Sequence, residues 1–126
     1  MCDEFAAIDD NSVKGDFMQN INLLPFSDDV VKKLDNLVSV IRSSVTDCCK
    51  IVLFGSYARA EYKASSDFDI LVLTETVVPR EIRGELYSFF EENNSDLVFY
   101  TTEAFNDSQA LLVRRIKKEG VLLWKG

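Results

Sequence analysis

Residues 54–72 read FGSYARAEYKASSDFDILV. A glycine and a small hydroxyl, Gly55-Ser56, close one apolar run, and Asp67 and Asp69 open another around a single phenylalanine. Alternate residues of a strand point to the same side. The two carboxylates therefore share one face, roughly 7 Å apart along the backbone, while Phe68, Ile70 and Val72 face the opposite layer. Like charges at this spacing raise each other's pKa or recruit a cation. Oxygen-only ligands suit Mg²⁺, with water and phosphate oxygens completing its shell. Gly55-Ser56 falls where a strand gives way to a helical turn, so backbone N–H groups and a hydroxyl converge on a spot fit for phosphate. Each half alone has a plainer reading, as acids at a solvated strand entrance and a serine N-cap. Ten residues apart, they form a phosphate cradle beside a carboxylate pair, as nucleoside triphosphate chemistry requires.

The flanking sequence supplies a scaffold. Ser27 caps a helix with Asp28 and Asp29 in its first turn, and Val30, Val31, Leu34, Leu37, Val38, Ile41 and Val45 recur at helical spacing. Lys50–Phe54 reads as a short strand, Tyr57–Tyr62 as a helical turn, and Asp67–Thr74 as a central strand apolar on both faces. Pro79 opens a helix with Ile82, Leu86, Phe89 and Phe90 along one side, ended by Asn93-Asn94-Ser95. Asp96–Thr101 is a third strand. Thr102 or Asn106 caps a last helix to about Glu119, Gly120 ends it, and Val121–Trp124 is a closing strand or tail. The order from Ser27 on alternates helix and strand, as in a small α/β (α+β) domain over residues 26–126. Residues 1–25, acidic and without sustained periodicity, are expected to form a poorly ordered arm.

Composition narrows the chemistry. The 126 residues suit one domain, and the net charge is −7, from 21 acidic against 14 basic residues. The one short basic run, Arg114-Arg115-Ile116-Lys117-Lys118, argues against non-specific nucleic-acid binding. No apolar run approaches the ~20 residues of a membrane span, and no basic-then-apolar leader opens the chain, so a cytoplasmic location is expected. Three cysteines, two of them adjacent, make a poor disulfide framework and read as buried or half-buried free thiols. There is no histidine. Catalysis must use carboxylates, hydroxyls, lysine, arginine or an oxygen-held metal.

The stretch GSYARAEYKASSDFD resembles the G-S-x10-D-x-D signature of the polymerase-β-like nucleotidyltransferases. Its wording is most similar to the MNT-type minimal nucleotidyltransferases, small single domains paired with HEPN-domain toxins. The resemblance is strongest over Ile51–Leu73 and extends toward Trp124. It implies a mixed central sheet flanked by helices, with Gly55 and Ser56 gripping the triphosphate and Asp67 and Asp69 holding metal. A third carboxylate on a neighbouring strand is implied, for which Asp96 is the natural candidate and Glu91, Glu92 and Glu103 are alternatives. Arg59 matches the arginine of the family's GSxARG and either steadies the turn or touches phosphate. Lys63 could also reach a phosphate, though a solvated loop lysine is the simpler reading. Ala60 departs from the family's usual glycine. The implied function is transfer of AMP from ATP, with two Mg²⁺ ions, to a hydroxyl of a HEPN toxin, a tyrosine by resemblance, making the chain the antitoxin of a type VII pair. Two alternatives stand beside it: an antitoxin acting by contact alone, and a small-molecule nucleotidyltransferase.

Overall fold

The computed structural model describes residues 26–59, 61, 63 and 66–126. The arm expected over residues 1–25 lies outside them.

Helix α1, Asp28–Ser44, begins where its cap predicts: the Ser27 side chain accepts the Val30 N–H at 3.3 Å. Leu34, Leu37, Val38 and Ile41 are buried along one face. At about 1.5–3 kcal/mol for each buried side chain, this packing outweighs the cap in holding α1 to the body of the protein.

Four strands form the sheet among the described residues: β1, Cys48–Phe54; β2, Phe68–Thr74; β3, Ser95–Thr101; and β4, Val121–Lys125, in the order β3-β2-β1-β4. β1 runs antiparallel to both β2 and β4, and β2 runs parallel to β3. The sheet is mixed, as expected. A parallel pair needs a crossover, which helix α2, Arg80–Glu92, supplies between β2 and β3. The antiparallel β1–β2 pair needs none. At the helical turn expected over 57–62, residues 56–59 make a turn in which the Arg59 N–H donates to the Gly55 carbonyl. Ala60 and Tyr62 are outside the described residues.

The last helix is two. Helix α3, Thr102–Asp107, is capped by Thr101, whose side chain accepts the Ala104 N–H at 3.1 Å, rather than by Thr102 or Asn106. Ser108 then turns the chain, its hydroxyl accepting the Ala110 N–H, and helix α4 runs Leu111–Glu119. Gly120 ends α4 with extended backbone, and residues 121–125 are a paired strand rather than a tail.

Alternation along the strands divides the core. Ile51, Leu53, Phe68, Ile70 and Val72 face α1 and α2, where Leu86 and Phe90 are buried. Val52, Phe54, Leu71 and Leu73 face α3 and α4, against Phe105, Val113 and Ile116. The sheet is thus covered on both faces. Cys48 is a half-buried free thiol pushed up to about 12, first by burial. Cys49 is buried and disulfide-bonded, a correction to the reading of free thiols.

Candidate active site

Strand register builds the site. Phe54, the last residue of β1, pairs with Asp69 of β2, and Asp69 pairs with Asp96 of β3. Asp69 lies on the same sheet face as Leu71 and Leu73, and Asp96 on the same face as Val98 and Tyr100, so the two carboxyls stand side by side on the α3–α4 face. Gly55 follows Phe54 with φ +79°, a conformation that favours glycine. A Cβ there would collide with the Asp69 carboxylate oxygen and lie 3.0 Å from its Cγ. The glycine lets the chain turn directly over the carboxyl.

Crowding changes the chemistry of Asp69. Its carboxyl is pushed up to about 6, first by burial, then by the charge of Asp96 and a side-chain hydrogen bond with it, and then by Asp67; Arg59 acts in the opposite direction. An acid disfavoured as an anion by its neighbours is a place where a cation would be welcome. Asp67 is exposed and lies just before β2, not in it as expected, so it retains rotamer freedom that Asp69 lacks. Among the described residues no three acidic or thiol side chains are grouped so as to hold a metal ion together.

The other candidates separate. Ser56 is half-buried in the turn, and its carbonyl accepts the Glu61 N–H at 2.9 Å. Arg59 is turned toward protein: its Nε donates to Glu61 at 2.9 Å and its Nη1 to Glu119 at 2.8 Å, tying the turn to the end of α4. This geometry favours steadying the turn over touching phosphate. Lys63 is exposed, its backbone N–H donating to the Ser66 hydroxyl. Glu103 lines a cavity at the opposite end of β3, beside Thr101 and Thr102.

Two cavities lie beside the aspartates, one lined by Asp67 and the other by Asp69 and Asp96. One, of about 430 Å³, is lined by Lys33 and Asn36 of α1, by Ser66 and Asp67, and by Glu92, Asn93 and Asn94. The other, of about 550 Å³, holds Asp69, Asp96 and Glu91 among Phe54, Tyr87, Phe90, Leu97 and Leu112. The C-terminal end of α2 divides them.

A family profile described as polymerase beta, nucleotidyltransferase, matches residues 35–126. The chain belongs to this family. No curated protein matches it. Among solved structures, the nucleotidyltransferase is similar to a chain of a toxin–antitoxin complex with AMP-PNP (24% identity, 73% of each chain covered, TM-score 0.59). It is also similar to a chain from a complex of tri-AMPylated Shewanella oneidensis HEPN toxin with MNT antitoxin (22% identity, 75% of this chain and 71% of that one, TM-score 0.56). A third likeness is to a candidate nucleotidyltransferase from Sulfolobus solfataricus (25% identity, 75% and 78%, TM-score 0.54). These likenesses show the nucleotidyltransferase fold.

Sequence reasoning missed the walls of the site. Tyr87 and Leu112 line the cavity over the carboxyls, yet neither stands out in a motif. The available signal was Leu111-Leu112 opening an otherwise basic helix, two apolar residues in succession where helical spacing buries only part of the surface.

Proposed function

We propose that the chain is a Mg²⁺-dependent protein adenylyltransferase, transferring AMP from ATP to a hydroxyl, a tyrosine, of a cognate HEPN-type toxin and acting in the cytoplasm as its antitoxin. The observation that carries this reading is the register pairing of Asp69 with Asp96 beneath the positive-φ Gly55. The solved complexes similar to this chain, one with AMP-PNP and one with an AMPylated toxin, support the same choice of donor and acceptor.

The donor set fits magnesium, being all carboxylate, and the raised Asp69 is the group a hard cation would relieve. An open set of protein ligands also suits an ion that keeps waters and shares substrate phosphates. Asp67 and Asp69 would hold one ion and Asp69 with Asp96 a second. Bound Mg²⁺ supplies charge stabilisation at the triphosphate and acidifies the acceptor hydroxyl. Gly55 leaves room for phosphate beside the carboxyls, and the Ser56 hydroxyl donates to a phosphate oxygen. Asp96 takes the acceptor's proton as its oxygen bonds to the α-phosphorus. The bond from that phosphorus to the bridging oxygen breaks, and pyrophosphate leaves.

Asp96→Asn separates the roles. ATP binding by calorimetry should persist while AMP transfer falls by ~10²–10⁴-fold, the usual worth of a general base. Intact mass spectrometry of the partner after incubation with ATP and Mg²⁺ should show added AMP units with the parent chain. No added mass, together with full neutralisation by the asparagine variants at 67, 69 and 96, would establish neutralisation by contact instead.

A further inference from the structure

The cavity over Asp69 and Asp96 has an unusual boundary. Its lining brings the carboxyl pair and Glu91 together with Phe54, Phe90 and Leu97, each no more than 8% exposed. Its rim is apolar and open: Tyr87 of α2 is 42% exposed and Leu112 of α4 is 41% exposed. Tyr87 is held in place edge-on to Phe99, with ring centroids 5.6 Å apart. Leu111, which precedes Leu112 in α4, is 71% exposed. On the same exposed face of α4, at helical spacing, follow Arg114, Arg115 and Lys118. An apolar patch beside a cationic one stands out on a chain of net charge −7.

We propose that Leu111, Leu112 and Tyr87 form the docking surface for the acceptor protein, whose complementary patch is apolar and acidic and inserts an aromatic hydroxyl side chain between Tyr87 and Leu112 onto Asp96. This rests on the transfer reading above and adds where the acceptor binds. Three observations carry it. The rim is continuous with the reacting carboxyls. A cavity lined by both apolar side chains and carboxyls matches a side chain with an apolar body and a polar tip, as in tyrosine. The cations of α4 meet an acidic partner, while the chain's net negative charge discourages one from docking elsewhere.

Two probes make the docking claim and the transfer reading fail separately. Methyl-labelled full chain is titrated with N-acetyl-tyrosinamide and, alongside it, N-acetyl-phenylalaninamide. The Leu112 methyl resonances should shift saturably, with the tyrosine probe binding about 3–10-fold tighter through its hydroxyl. The double variant Leu111→Ser, Leu112→Ser should lose about tenfold in probe affinity while binding ATP as the parent does. With the purified HEPN-type partner, the same variant should raise KM for the partner and leave kcat nearly unchanged, and Arg114→Glu with Arg115→Glu should do likewise and steepen with falling salt. Unmoved Leu112 resonances, or equal probe affinity in the serine variant, overturn the docking surface. So does a parent dimer that the serine variant converts to monomer, since a second copy would then be the occupant. A parent that transfers no AMP to the partner, yet binds the tyrosine probe through Leu112, overturns the transfer reading and leaves the docking surface standing.

Discussion

At Asp69 a single side chain is shared among three strands: its β1 neighbour Phe54 leads into Gly55, its β3 neighbour is Asp96, and its carboxyl is pushed up to about 6. Between the unfolded value of about 3.9 and that folded value, the native chain keeps a proton that the unfolded chain has released. Stability should therefore fall as pH rises through this window. Two pKa units correspond to about 3 kcal/mol at most, and screening at a half-buried group reduces this to on the order of 1 kcal/mol. Urea unfolding in chelator at pH 4 to 7 should show that decline, and Asp69→Asn should remove it. An identical slope in the variant would place the raised carboxyl elsewhere. Gly55 belongs to the same account, because a side chain there would enter the space of the carboxyl.

Among the elements, legibility followed how local the cause was. α1 could be read from Ser27 and its apolar spacing, and β2 from an uninterrupted apolar run, because both signals lie within a few residues. The neighbouring carboxyls were half legible. Asp96 could be placed at a strand start, but only the parallel β2–β3 register, a long-range fact, sets it opposite Asp69. The break between α3 and α4 was missed for a different reason: apolar Phe105, Val113 and Ile116 continue a helical pattern to the eye, while Thr101 and Ser108 redirect the backbone through single hydrogen bonds. Arg59 is open to two readings in the sequence, and its ion pairs with Glu61 and Glu119 favour the steadying of the turn. The cap at Thr101 can be tested directly. Thr101→Ala should cost about 1 kcal/mol in chemical denaturation. The loss should concentrate in faster hydrogen exchange over Thr102–Asp107, and unchanged exchange there would mean that packing of Phe105 alone holds α3.

For the whole molecule, the two-faced sheet sets both stability and activity. Phe105 is the fully buried ring on the α3–α4 face. Phe105→Ala should cost about 3–5 kcal/mol, a large share of the total for a small domain, as measured by thermal or urea unfolding. A loss below about 1 kcal/mol would show that α3 is a loosely attached flap rather than a layer of the core. The sheet also constrains the order of events when the protein is made. Ile51 pairs with Trp124, and Leu53 with Val121, so β1 lacks one neighbour until residues 121–125 have emerged from the ribosome. Contacts so far apart in the chain are slow to form, and an unpaired strand edge invites pairing with other chains. Until then the nascent chain presents β1, together with the turn that overlies Asp69, to chaperones and to neighbouring nascent chains on the same message.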